Sequence, residues 1–423
     1  MLLVFSASVV VLVAVVAEMV LRLTALQTSA AADPRCAGSD AAQSNQRGLY
    51  IPDPAAGYVM RPNVCVRLRT GEYDEVLRTN SRGLAGPEVP DTKAPGEFRI
   101  VVLGDSYAVG GQVPYELTFS AQLEQNLHNR GYTSMRVINA AAGGYTTFNE
   151  AGLLRENLQW LRPDLVIVAA FVGNDVAENV LATAAGYVVD ANHPKGLTFG
   201  PGASELVQES IGWFPRNGPS APDARMAPQR DVVVGLKTAA RQAWDASRSW
   251  SLVLGALFGA PPDPSVGTAP GSRPPSKDQR KLNLSSFEWT ILRDTPRTYW
   301  LDRAWPLFGQ YLSELRETAD SVNASVLVLV IPQIAQVEPA ERARTMADYG
   351  FREDEVDWDR PQRELHAQAD SARLPVLDLL PAFQSRPQHD TLYLPIDQHF
   401  TTLGHRVTAE LTAESIVSRG WLR

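Results

Sequence analysis

Residues 98–110 read FRIVVLGDSYAVG. Four apolar residues, Ile100 to Leu103, run without interruption into Gly104-Asp105-Ser106. That is the pattern of a strand buried on both faces and ending in a tight turn. Two further runs follow, MRVINAAAGG at 135–144 and DLVIVAAFVGND at 164–175, with helical spacing over Thr118–Arg130 and Thr147–Leu161 between them. Later, ASVLVLVIP at 324–332 and PVLDLL at 375–380 supply a fourth and a fifth strand. Helical patterns flank them at Trp300–Val322, Arg360–Ala372 and Thr402–Arg419. Strands that alternate with helices this way predict an α/β fold: a doubly wound, flavodoxin-like, five-stranded parallel sheet in three α/β/α layers. Ligands of such sheets bind outside the carboxyl ends of the strands, so chemistry is sought there.

Outward from this core, residues 27–97 are rich in turn formers such as Asp53-Pro54, Arg61-Pro62-Asn63 and Asn80-Ser81-Arg82-Gly83. Short alternating stretches at Val64–Leu68 and Glu75–Thr79 make this a strand-and-turn accessory region. The main domain, 98–423, is interrupted by an insertion at 184–284, where the βα pattern lapses. Within the insertion, PPDPSVGTAPGSRPP at 261–275 carries six prolines and marks a loop over about 259–278. Trp213 and Phe214, also in the insertion, read as local packing, with an acyl pocket or a sugar platform as the alternative.

At the N-terminus, residues 1–17 carry no charge, and the apolar run resumes after Glu18 as far as Leu21. Counted to Leu23, a helix would span about 35 Å, enough to cross a bilayer core of about 30 Å. Residues 1–26 are therefore read as a transmembrane anchor, with a cleaved signal peptide ending near Ala30-Ala31-Ala32 as the alternative. No second run of spanning length follows, and the domain is expected on the exported side, periplasmic or extracellular. Cys36 and Cys65, the only cysteines, would there be able to form a disulfide. The balance of 39 Lys and Arg against 47 Asp and Glu gives a net charge of −8, the wrong sign for tracking a phosphate backbone. Nucleic acid is excluded as a partner, and the sequence points to no protein partner.

Ser106, just past the first strand after a glycine, is a candidate nucleophile. Alone, Gly-Asp-Ser is as common in turns and helix caps, so its company decides. The second strand ends in Ala142-Gly143-Gly144-Tyr145, where a backbone N–H can approach a substrate, and the third in Gly173-Asn174-Asp175, where an amide can donate. Three successive strand ends thus offer a hydroxyl and the donors that an oxyanion requires. A serine hydroxyl needs a base, usually a histidine oriented by a carboxylate. Of six histidines, His128 and His366 fall on helices, His193 lies in the insertion, and His405 reads as a packing or capping residue of the last helix. His389 stays open in a polar loop. His399, in Ile396-Asp397-Gln398-His399-Phe400 between the fifth strand and the closing helix, is the best base, and Asp397 can orient it.

These blocks resemble, in order, those of the SGNH hydrolases, also called GDSL esterases or lipases, of the membrane-anchored bacterial type. Gly104-Asp105-Ser106, Gly144, Gly173-Asn174-Asp175 and Asp397-Gln398-His399 match the four blocks over roughly 98–185 and 286–423. The resemblance implies Ser106 as nucleophile and an oxyanion hole from the Ser106 and Gly144 N–H groups and the Asn174 amide. It also implies His399 as base, Asp397 as its acid, and no metal or organic cofactor. One departure stands out: the family's acid usually lies three positions before the histidine, where this chain has Ile396. A two-residue spacing resembles the SGNH-like alginate acetyltransferases, whose acid-base block precedes the serine block.

The function expected is a membrane-tethered serine esterase acting on an acyl, plausibly acetyl, ester of an envelope or extracellular carbohydrate or lipid. An O-acyltransferase acting on a polysaccharide with the same residues is the first alternative. A non-catalytic envelope carbohydrate-binding protein is the second.

Overall fold

The computed structural model describes residues 36, 41–44, 48–189, 197–200, 289–292, 301–349, 351–387 and 390–422. The predicted anchor at 1–26, the proline-rich loop, His193, Trp213, Phe214 and His389 lie outside these residues. Among the described residues, no helix is long and apolar enough to cross a membrane.

Among the described residues before 97, the turn-rich sequence folds into five short strands: β1 (Ala41–Ser44), β2 (Tyr50–Asp53), β3 (Gly57–Met60), β4 (Val64–Arg69) and β5 (Asp74–Arg78). β2 and β3 form an antiparallel hairpin, while β4 pairs with β5 antiparallel and with β1 in parallel. Both cysteines are disulfide-bonded, and Cys65 is fully buried in β4.

The main sheet holds β6 (Phe98–Gly104), β7 (Met135–Asn139), β8 (Leu165–Phe171), β11 (Ser325–Ile331) and β12 (Val376–Asp378). Their order is β12-β11-β8-β6-β7, all parallel. This is the expected doubly wound arrangement. Leu165 to Ala170 in β8 and Leu327 to Ile331 in β11 are completely buried, which is why these strands read as unbroken apolar runs. β12, at the edge, is three residues long and only half-buried.

The helices are α1 (Ser106–Val109), α2 (Phe119–Asn129), α3 (Thr147–Leu161), α4 (Asp175–Ala185), α5 (Leu301–Asp320), α6 (Ile334–Val337), α7 (Pro339–Tyr349), α8 (Arg360–Ser371), α9 (Leu380–Gln384) and α10 (Thr402–Ser418). α2 packs against α10, whereas α3, α4, α5 and α8 form a second group. Right-handed crossovers require this division, because the chain moves one way across the sheet from β6 to β7 and the other way from β7 to β8 and onward. The reversal opens a crevice between the carboxyl ends of β6 and β8, and Ser106 follows one of those ends. After α4 a small antiparallel pair, β9 (Tyr187–Val189) and β10 (Leu197–Phe199), begins the segment in which the sequence showed no pattern.

The accessory strands dock on the domain by directed polar contacts. Asn149 of α3 donates to Ala56 O at 2.7 Å, and Tyr145 donates to Tyr58 O at 2.7 Å. The rings of Tyr50, Tyr145 and Tyr187 each stand edge-on to Tyr58, a buried residue of β3.

Candidate active site

The serine side is built by strand ends. Gly104 closes β6 where a Cβ would lie 2.7 Å from that of Ala108, so only glycine lets α1 turn back so tightly. Asp105 caps α1, accepting the Tyr107 N–H at 2.8 Å, and Ser106 is its first residue. Asn139 at the end of β7 donates to Ala108 O at 2.8 Å, which ties the neighbouring strand end to the serine helix. The next turn carries Gly143 and Gly144, the latter at φ +77°, a conformation that favours glycine. Tyr58 of β3 donates to Gly143 O at 2.9 Å and so holds this turn from the accessory side. Asn174, after β8, bonds Glu178 at 3.5 Å.

The histidine side is a loop. Tyr393 and Phe400 pair across it, Leu394 N–H donates to His399 O at 2.8 Å, and Gln398 N–H donates to Leu394 O at 2.9 Å. Gln398 has φ +67°, a left-handed turn residue that folds Asp397 back onto the imidazole. Asp397 Oδ1 lies 2.5 Å from His399 Nδ1, and His399 Nε2 lies 2.7 Å from Ser106 Oγ. A carboxylate acceptor at Nδ1 fixes the proton there, leaving Nε2 to accept from the serine hydroxyl. The two-residue spacing of acid and base therefore closes geometrically, because one residue between them is left-handed. Tyr107 braces the loop: its hydroxyl donates to Gln398 O at 2.7 Å and its ring lies 4.7 Å from the imidazole.

The structure brings together Ser106, His399 and Asp397. Gly144 and Asn174 head the two neighbouring strand ends. His405 is buried in α10 and accepts the Phe119 N–H at 3.2 Å, the packing and capping place expected of it. His128 bonds Met135 O, and His366 faces Asp378 at 3.3 Å. Three residues that sequence reasoning left without a role also enter the site. Tyr107 adjoins the nucleophile in sequence and could have been suspected. Glu72 and Tyr73 belong to the β4–β5 turn, with no local signal: Glu72 accepts the Ile396 and Asp397 N–H groups, and Tyr73 donates to Asp397 Oδ2 at 3.0 Å.

Electrostatics separate the carboxyls. Burial pushes Asp105 up to about 6, and burial together with repulsion from Asp105 pushes Glu150 and Asp175 well above the usual range. Burial also acts to raise Asp397, but the hydrogen bonds and charge of His399 and the hydrogen bond from Tyr73 outweigh it and hold this carboxyl below its usual range. Asp397 is thus kept as the anion that an imidazolium needs beside it. Among the described residues, no group of three His, Cys, Asp or Glu could hold a metal ion.

Among solved structures, the chain is similar to an acetyl xylan esterase, AlAXEase, at 11% identity and TM-score 0.36, covering 75% of this chain and 100% of that one. It is also similar to a lipase/acylhydrolase from Enterococcus faecalis, at 14% identity and TM-score 0.35, covering 76% and 96%. An acetylxylan esterase from Geobacillus stearothermophilus shows 10% identity and TM-score 0.35, covering 78% and 99%. At these values nothing about substrate is drawn from them. Curated protein sequences give no match. Residues 308–422 match the family model described as SGNH hydrolase-like domain, acetyltransferase AlgX. The stretch of chain that supplies Asp397 and His399 is therefore similar to an SGNH hydrolase-like domain.

Proposed function

We propose that this protein is a membrane-tethered serine esterase that removes an acyl group, in the first instance acetyl, from a carbohydrate or lipid of the cell envelope. The observation that carries the reading is the unbroken line from Asp397 through His399 to Ser106, with links of 2.5 and 2.7 Å. In the first step Ser106 Oγ bonds to the acyl carbon while its proton passes to His399 Nε2. The developing oxyanion is received by the Ser106 and Gly144 N–H groups and the Asn174 amide. The alkoxide leaves with the proton from His399, giving the acyl-enzyme and a free alcohol. Water then gives its proton to His399 as its oxygen bonds to the acyl carbon, and the acyl carbon–Oγ bond breaks with His399 returning that proton to Ser106, which frees the carboxylic acid and restores the hydroxyl. The N-terminal segment 1–26 would hold the domain at the membrane on its exported side.

Hydrolysis of p-nitrophenyl acetate by the full chain tests the reading, beside Ser106→Ala and His399→Ala. Loss of at least about a thousandfold in kcat in both variants supports it. A folded wild type no faster than the variants overturns it and favours a non-catalytic binding protein. Carbonate extraction of membranes from expressing cells tests the tether, which release of the protein into the soluble fraction would refute.

The match of residues 308–422 to an acetyltransferase domain, with the Asp-X-His spacing, favours a second reading in which a sugar hydroxyl takes the place of water. Acceptor oligosaccharide then raises the rate of acyl-enzyme breakdown and becomes acetylated itself. Under simple hydrolysis it leaves that rate unchanged.

A further inference from the structure

The accessory strands reach the site at one point that no motif announces. β4 and β5 are joined by residues 70–73, a turn closed by Thr70 N–H donating to Tyr73 O at 2.9 Å. The Thr70 hydroxyl accepts the Glu72 N–H at 3.1 Å, and beneath the turn Arg67 and Arg69 both pair with Asp74. The tip is thus a built element, and it presents two side chains to the acid-base loop. The Glu72 carboxylate accepts the N–H of Ile396 at 2.9 Å and of Asp397 at 2.6 Å, one on each oxygen. Tyr73 donates to Asp397 Oδ2 at 3.0 Å, while Oδ1 of the same carboxylate faces His399. Burial and the Asp397 charge push the Tyr73 phenol up, so it stays a donor across the working pH range. Each Asp397 oxygen therefore has its own partner, and the backbone that carries Asp397 is clamped from below.

We infer that Glu72 and Tyr73 are positioning residues of the acid-base pair, so that the accessory turn is an integral part of the catalytic site rather than a neighbouring fold. This rests on the serine-esterase reading above. A carboxylate with one lone oxygen can rotate out of the imidazole plane, and the Ile396 and Asp397 N–H groups at the loop's entry are held by Glu72. Tyr73 fixes the rotation and Glu72 fixes the entry. Tyr73 also draws charge from Asp397, so its removal leaves the carboxylate a stronger partner for the imidazolium.

The experiment measures, on the full chain, the rate at which a tagged fluorophosphonate labels Ser106 and the pH profile of p-nitrophenyl acetate hydrolysis. Tyr73→Phe keeps the ring and deletes the donor; labelling and kcat are expected to fall about tenfold with KM unchanged, and the acid limb of kcat/KM moves to higher pH. Glu72→Gln, which retains one acceptor, falls less than Glu72→Ala. In an Asp397→Asn background Tyr73→Phe has no further effect, because the group it positions is gone; a merely structural tyrosine would lower activity there by the same factor. Labelling and acid limb at wild-type values in Tyr73→Phe and Glu72→Ala, or full additivity with Asp397→Asn, overturn the inference while leaving the esterase standing. A wild type that is not labelled, with the same slow hydrolysis in His399→Ala, overturns the esterase reading itself and this inference with it.

Discussion

The two halves of the site are held by different means. The serine half hangs on the carboxyl ends of three adjacent parallel strands, so Ser106, Gly144 and Asn174 take their places from the backbone of a largely buried sheet. The histidine half is a loop between Leu394 and His399, kept in shape by hydrogen bonds to Tyr107 from α1 and to Glu72 and Tyr73 from a turn more than 300 residues away. The comparison teaches that a nucleophile can be located by topology alone, whereas its base is located by side-chain contacts the topology does not dictate.

The largest test of this contrast falls on the loop. Asp397→Asn should lower kcat by about a thousandfold or more with KM little changed, since an amide favours the wrong imidazole tautomer. Steady-state hydrolysis measures it, and a loss under tenfold would mean that a backbone group, not Asp397, orients His399.

The second test exploits opposite pH behaviour of buried groups on the two sides. His405, on α10, is pushed down to about 3 by burial, with His399 adding to the effect, and among the described residues its imidazole has the Phe119 N–H as its polar partner. A depressed pKa contributes stability that is present above the unfolded value near 6.5 and is lost as pH falls toward 3. By pH 4 this linkage costs on the order of 3 kcal/mol, and His405→Gln should remove that pH dependence. Glu150, on the serine side, is raised instead, so its contribution is full below the unfolded carboxyl value and declines as pH rises through the folded one. Glu150→Gln should therefore flatten the loss of stability on the alkaline side. Urea unfolding midpoints at pH 4, 6 and 8 separate the two, and parallel curves for both variants would defeat the comparison.

Asn174→Ala sharpens the serine half, with about a hundredfold loss in kcat expected for one oxyanion donor. The burst rate of p-nitrophenol release reads it directly. Last and smallest, Gln398→Gly should keep activity within about threefold and add up to about 1 kcal/mol of stability, because glycine adopts the left-handed turn without strain. Gln398→Val should lose both, and thermal unfolding beside kcat distinguishes the two substitutions.

What could be read in the chain follows from how each feature is encoded. The runs at 98–104, 135–139, 165–171 and 325–331 announce themselves because a strand covered on both faces takes apolar side chains at nearly successive positions. The strand ends were legible because tight turns demand glycine and small polar residues. His399 was singled out by place, since a loop between the fifth strand and the closing helix can return over the crevice, while its exact seat was not legible. The acid spacing was not legible: that Asp397 reaches Nδ1 two residues away depends on a left-handed glutamine, and glutamine carries no preference for that conformation.

The sequence by itself thus determined the five parallel strands, five of the helices around them and the place of the candidate Ser106 after the first, since burial imposes a period on local residues. Only the tertiary structure decided that Glu72 and Tyr73 support the base, that Tyr58 holds the Gly143 carbonyl and that Tyr107 braces Gln398. A hydrogen bond constrains two atoms in space and leaves no periodic trace in either stretch of chain it joins.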